Sequence, residues 1–364
     1  METQDLIYLV SCAVNGVKPE AARVAEIDLD ALYKLANKHM LTAAAAHALE
    51  QAGVQDARFV KAKEHSALKN AAMDMEMEAV FSELDAAGIW HMPLKGIVLQ
   101  HLYPVYGMRE MTDHDILFDA KRADDVRRIM ESLGFCTKEF GGLDHDVYHK
   151  DPVSNFEMHR ELFDYGQEVK LYEYYRDVEK RFLGDGYQKH FSPEDFYIFM
   201  IAHEYKHYIL KGTGLRSLLD TYLVLQKTIL DMDYVKAEAE KLGMAEFEEQ
   251  NRSLALHLFT GERLTEADDE MLEFILASGV YGVMDAAVPK RLSNTGYGKI
   301  RYVFERFMAP VKKGNSSYRT FSQKYPFFYK HKILLPLLQL HLVFIHFRSG
   351  LLAAELKALR NAKR

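Results

Sequence analysis

Asp113 and Asp115 stand two residues apart in PLKGIVLQHLYPVYGMREMTDHDILFD, the run from Pro93 to Asp119. On a strand, a period of two sends both carboxylates to one face and His114 to the other. Like charges so placed repel unless a cation lies between them, which makes the pair a candidate Mg2+ site. Glu157, in NFEMHREL, is a candidate third ligand on a neighbouring strand. Three carboxylates suit a two-metal arrangement, in which one ion holds a triphosphate and the other activates an attacking hydroxyl. Glu157 would also serve as a base. Lys95-Gly96, at a strand-to-helix turn, and Arg109, four residues before Asp113, are candidates for phosphate. A glycine lets backbone approach an anion closely, arginine can clamp it bidentately, and lysine offers a point charge.

These residues need elements to hold them. Residues 4 to 87 repeat apolar side chains at three-to-four spacing in Ala-, Leu- and Glu-rich text, which predicts helices. From residue 88 the texture changes to short apolar segments, IWHMPLK, ILF, FCTKEF, HDVYHK and SNFEMHREL, around one helix, ADDVRRIMESLG. That pattern predicts a small mixed sheet. After Ser192 the periodicity is helical again, with segments expected at 215 to 228, 233 to 242, 245 to 259, 265 to 278, 299 to 308 and 331 to 360. The expected class is therefore α+β: helices over 1–87, a sheet core over 88–165, a helical domain over 166–310 and a basic, apolar helical segment over 311–364. KKGNSSYRT, at 312 to 320, reads as a linker.

Composition narrows the class. With 364 residues, 48% hydrophobic and 27% charged, the chain is neither disordered nor fibrous. Cys12 and Cys136 are too few for a disulfide framework or a cysteine-rich zinc module. Glu2 and Asp5 precede the first apolar run, where an export signal carries positive charge, so a cytoplasmic location is expected. The net charge of -7 is uneven: from Arg291 onward 15 Lys/Arg face only Glu305 and Glu355. Such a tail either docks on its own acidic body, the favoured reading, or meets an anionic partner such as nucleic acid.

Taken in order, Lys95-Gly96, Tyr103-Pro104, Arg109 and Asp113-His114-Asp115-Ile116-Leu117 resemble the signature of the polymerase-beta-like nucleotidyltransferase superfamily. The likeness is greatest to its uncharacterised bacterial branch. Glu157-Met158-His159 is similar to that branch's acidic-hydrophobic-His strand, and His203, His207, Arg216 and Asp220 to its later helical residues. The resemblance implies a Mg2+-dependent transfer of a nucleoside monophosphate from an NTP to an acceptor, with two ions during turnover and pyrophosphate released. The acceptor, a hydroxyl or an amine, is not readable. His159, His203, His207, Arg216 and Asp220 then become candidates for the cleft between sheet and helices. Two positions depart from the pattern: His114 replaces an aliphatic residue, and Ile97 stands where the wider superfamily has serine.

Two other readings compete. Ile97 and His114 suit a catalytically silent nucleotide-binding or interaction module. His203-Glu204-Tyr205-Lys206-His207 matches the H-E-x-x-H of zinc metallohydrolases, but Lys206 puts a charge inside the motif and no third histidine follows at the usual distance. KYPFFYKHKILLPLLQLHLVFIHFR could suit a membrane surface or stacked bases, yet its apolar density predicts a buried helix pair instead.

Overall fold

The computed structural model describes residues 2–362 except 143, 165–168, 211, 281–287, 290–291, 293–294, 314–315 and 349–350. Four helices of ten residues or more come first: Glu2–Asn15, Leu29–His39, Thr42–Gln51 and the 30-residue Ala57–Ala86. Asp28 and Asp56 start two of them by accepting hydrogen bonds from the first exposed backbone N–H groups. The chain then forms five strands: β1 (His91–Pro93), β2 (His114–Phe118), β3 (Cys136–Glu139), β4 (His145–Lys150) and β5 (Ser154–His159). Their order in the sheet is β1-β2-β5-β4-β3, with β2 and β5 parallel and the other neighbours antiparallel. The fold is α+β.

Strand alternation divides the sheet chemically. Ile116, Phe118, Tyr148, Phe156 and Met158 point to one face, where they pack with Val80 and Leu84 of the long helix and with Val126 and Met130 of the Ala123–Ser132 helix. His114 lies on this face, as its parity predicts. It is fully buried, edge-on to Phe156 at 5.2 Å, and burial pulls its pKa down to about 4. Ile97 also sinks into this core. Asp115, Leu117, Glu157 and His159 take the opposite face.

A second, larger core joins Met92, Leu94 and Leu117 to the N-terminal helices and to the helices after Ser192. Ser192 caps the first of these, Pro193–Leu210, by accepting from the Asp195 N–H at 3.1 Å. Leu215–Lys227, Met232–Leu242, Ala245–Thr260 and Glu266–Ser278 follow, each within a residue of its expected bounds. Helices from before and after the sheet thus share one apolar interior.

The tail departs from expectation. The expected linker is helical from Ser316 to Lys324, while Gly314 and Asn315 lie outside the described residues. Over 331 to 360 the expected helix pair is present, as Leu335–Arg348 and Leu351–Asn361 after a 3-10 turn. Leu335–Arg348 is not buried: Leu338 and Leu342 are, but Leu337, Leu340, Phe344 and Phe347 stay between 57% and 69% exposed. Both acids of the tail are engaged within it, Glu355 with Arg306 and Glu305 with Lys312. Among the described residues, no helix is long and apolar enough to cross a membrane.

Candidate functional site

The loop that delivers Asp113 is tied to three helices. Asn70 of the long helix donates to the Arg109 carbonyl at 3.0 Å, and Lys69 donates to the Met111 carbonyl at 2.8 Å. Arg216 donates to the Glu110 carbonyl at 2.7 Å, and the Glu110 carboxylate accepts the Ala43 N–H at 2.9 Å. Gly107 permits the close approach, since a Cβ there would lie 2.6 Å from the Ala67 backbone, at a φ of +79°. Consecutive residues are fixed in this way, so the aspartates begin β2 in a set position.

Arg109 does not lie where a phosphate clamp would. Its Nε and Nη2 donate to the two carboxylate oxygens of Asp220 at 2.9 and 2.8 Å, and both side chains are buried. The Tyr103 hydroxyl donates to the same carboxylate at 2.8 Å. The guanidinium fork is committed to a protein carboxylate and locks the loop onto the Leu215–Lys227 helix. Gly96 is explained by the same packing. A Cβ there would meet Met111 Cε at 2.6 Å and Arg109 Nη1 at 2.9 Å, so side chains rather than an anion fill the space beside it.

The three acids do converge. Asp115 and Glu157 are direct partners across the parallel β2–β5 ladder. His159 Nε2 lies 2.7 Å from Asp115 Oδ1 and 3.8 Å from Glu157 Oε2, so both oxygens touch one imidazole nitrogen. Lys95 Nζ donates to Asp115 Oδ1 at 2.9 Å. Its backbone, at φ 41° and ψ -110°, is one a lysine rarely adopts, at a cost of about 1–3 kcal/mol. The turn thereby aims the ammonium at the acids. Asp113, held by the Thr112 hydroxyl at 2.9 Å, adds a third charge around Lys95.

The electrostatics follow from that crowding. Burial raises the pKa of Asp113, and Asp115 raises it further. Burial raises Glu157 too, with Asp115 and Asp113 adding to the effect. Burial alone would also raise Asp115, but Lys95 and His159 outweigh it and hold that carboxyl well below the usual range. Burial would strip the proton from Lys95, yet Asp115 first and then Asp113 and Glu157 keep it on. The cluster is short of positive charge.

The helical candidates divide. His203 and His207 meet at 3.1 Å between their Nε2 atoms. Burial, followed by Lys95, pushes the His203 pKa well down, so this pair borders the acids. Arg216 also borders them: burial lowers its pKa and the neighbouring Arg109 lowers it further, while Asp220 and Asp113 oppose the change. Asp220 is the structural partner of Arg109. Glu204 is buried, and burial with Asp220 pushes its pKa up to about 8. Protonated near neutrality, it lacks the free carboxylate that the zinc-hydrolase reading needs as a base.

Three contributors escaped the sequence reading. His145 of β4 is the direct strand partner of His159, and Asp144 Oδ1 lies 3.0 Å from its Nδ1. Lys69 approaches Asp113 from the long helix, where burial lowers its pKa and Asp113 raises it. The alternation in HDVYHK puts His145 and Val147 on one face, and that was the available signal for His145. Nothing local marks Lys69.

The profile described as "Uncharacterised nucleotidyltransferase" matches residues 25–260. Among curated proteins, none matches the chain. A solved structure, an antigenic nucleotidyltransferase-like protein from Paracoccidioides brasiliensis, is 15% identical, with 56% of this chain and 97% of that chain covered and a TM-score of 0.35. The family match spans the helices from Leu29–His39 onward, the acid-bearing sheet and the helices through Thr260, and the chain belongs to the uncharacterised nucleotidyltransferase family.

Proposed function

We propose that the chain moves a nucleoside monophosphate from an NTP to an acceptor hydroxyl or amine with the help of Mg2+. The observation that carries the reading is the pairing of Asp115 with Glu157 across β2 and β5, with Asp113 in the residue just before β2 and Lys95 among them. Three oxygen donors short of positive charge fit Mg2+, a hard ion. Asp113, Asp115 and Glu157 would hold it. When bound, the ion supplies charge for the triphosphate and eases ionisation of the acceptor.

The chain's own residues do the rest. Lys95 and Arg216 face the acids as cations and are the groups for phosphate oxygens, in the part first expected of Arg109. The acceptor atom bonds to the α-phosphorus, the bond to the bridging oxygen breaks, and pyrophosphate departs. Glu157, its pKa raised by burial and like charge, takes the acceptor's proton. Ile97 lies in the core, so a serine-like contact to the terminal phosphates has no counterpart at that position.

The test is to incubate the chain with α-labelled NTPs, Mg2+ and cell extract. Transfer of label with pyrophosphate release, lost in Asp115→Asn, is the expected result. Nucleotide binding with no pyrophosphate released against any acceptor would instead favour the silent binding module. Absence of any nucleotide binding would end both.

A further inference from the structure

Glu157, one of the three acids, also belongs to a second donor set of different chemistry. His145 of β4 and His159 of β5 are opposite one another in the antiparallel ladder, with ring centroids 5.1 Å apart. Each presents Nε2 to the same atom: Glu157 Oε2 is 3.9 Å from His145 Nε2 and 3.8 Å from His159 Nε2. The three ligand atoms lie within 4.8 Å of one another. A tetrahedral ion with bonds of about 2.0–2.2 Å holds its ligands roughly 3.4 Å apart, so closure needs only small side-chain rotations. The other nitrogen of His145, Nδ1, lies 3.0 Å from Asp144 Oδ1, close enough to pair with it after a small rotation. A carboxylate behind a ligating histidine fixes the ring and leaves the far nitrogen to face a metal.

We infer that His145, Glu157 and His159 form a site for a borderline divalent ion of the Zn2+ or Co2+ kind, with Asp144 as the orienting carboxylate. Imidazole favours such ions over Mg2+, which prefers oxygen. The side chains of His145 and Glu157 are 26% and 27% exposed, so solvent reaches the site and a fourth position stays open for water. His159 Nε2 now shares a proton with Asp115 Oδ1; the ion would take that proton's place, and the proton would pass to water. This site shares no residue with His203-Glu204-x-x-His207. It stands whether or not the chain transfers nucleotides, because its ligands are read without any nucleotide.

The full chain, stripped with a chelator and without nucleotide, is titrated with Co2+. One ion per chain with the strong visible absorption of four- or five-coordinate cobalt, displaced by Zn2+, is expected. His145→Ala should abolish the band while circular dichroism stays unchanged, and Asp144→Asn should weaken binding at least about tenfold. Asp113→Asn should keep the band, which separates this site from the proposed transfer chemistry. A weak octahedral spectrum would overturn the proposal. So would a band that survives His145→Ala, or one that His203→Ala removes instead.

Discussion

Two clusters of charge lie within one loop's reach of each other, and they are built on opposite plans. Around Asp220, Arg109 supplies two hydrogen bonds and Tyr103 a third, so a buried carboxylate meets nearly matched partners. Around Lys95, three carboxylates crowd one ammonium, and two of them are driven toward protonation. A buried charge with its partners in place serves architecture. An excess of one sign, held by a strained backbone, serves a ligand of the other sign. Charge balance separates the two more clearly than burial does, since Arg109 and Asp115 are both buried.

The contrast breaks most visibly at Arg109. Arg109→Ala leaves Asp220 buried without its main partner and should cost about 3–5 kcal/mol of stability. Urea melts would show it, and an unchanged midpoint with lost nucleotide affinity would return Arg109 to the phosphates. Asp113→Asn should do the opposite, because burial and Asp115 already push that carboxyl toward its neutral form. Pyrophosphate release falls about a thousandfold, roughly 4 kcal/mol of barrier, while thermal stability holds or rises as like charges are relieved. A drop in Tm as large as that of Arg109→Ala would make the acids structural.

Smaller effects sharpen the same line. The Glu204 carboxyl has a folded pKa of about 8 against an ordinary value of 4.5. Between those values the unfolded chain is ionised and the folded chain keeps its proton, so the stability this group contributes below pH 4.5 is lost as pH rises toward 8. Glu204→Gln should remove that slope. It should match wild type near pH 4 and exceed it at pH 8 by on the order of 3 kcal/mol, read from melts across pH. Parallel curves would show that Glu204 is not protonated in the fold. Tyr103→Phe removes one hydrogen bond to Asp220 while two remain, and should cost about 1–2 kcal/mol with transfer rates unchanged. A fall in rate alone would place Tyr103 with the acids.

Much of this was legible in the sequence, and the limits have a physical pattern. Period two put Asp115 on one sheet face and His114 on the other, because alternation is a local property of a strand. Helix bounds after Ser192 were readable from caps and apolar spacing. Arg109 was misplaced because its partner, Asp220, lies 111 residues away on a helix whose docking no local rule gives. Gly96 was assigned to anion approach for the same reason: Met111 and Arg109 fill its side only once the loop folds back. The tail was expected to be buried on apolar density alone, yet density does not reveal whether a covering surface exists.

The parallel pairing of β2 with β5 also sets a timetable. Because β3, β4 and a helix are threaded between them, the acids cannot meet until about 45 residues beyond Asp113 have been made. The loop that aims Asp113 is anchored later still, when the Leu215–Lys227 helix brings Asp220. A chain growing from the ribosome would therefore carry its three acids unanchored through more than half of its synthesis, until the Leu215–Lys227 helix has been made.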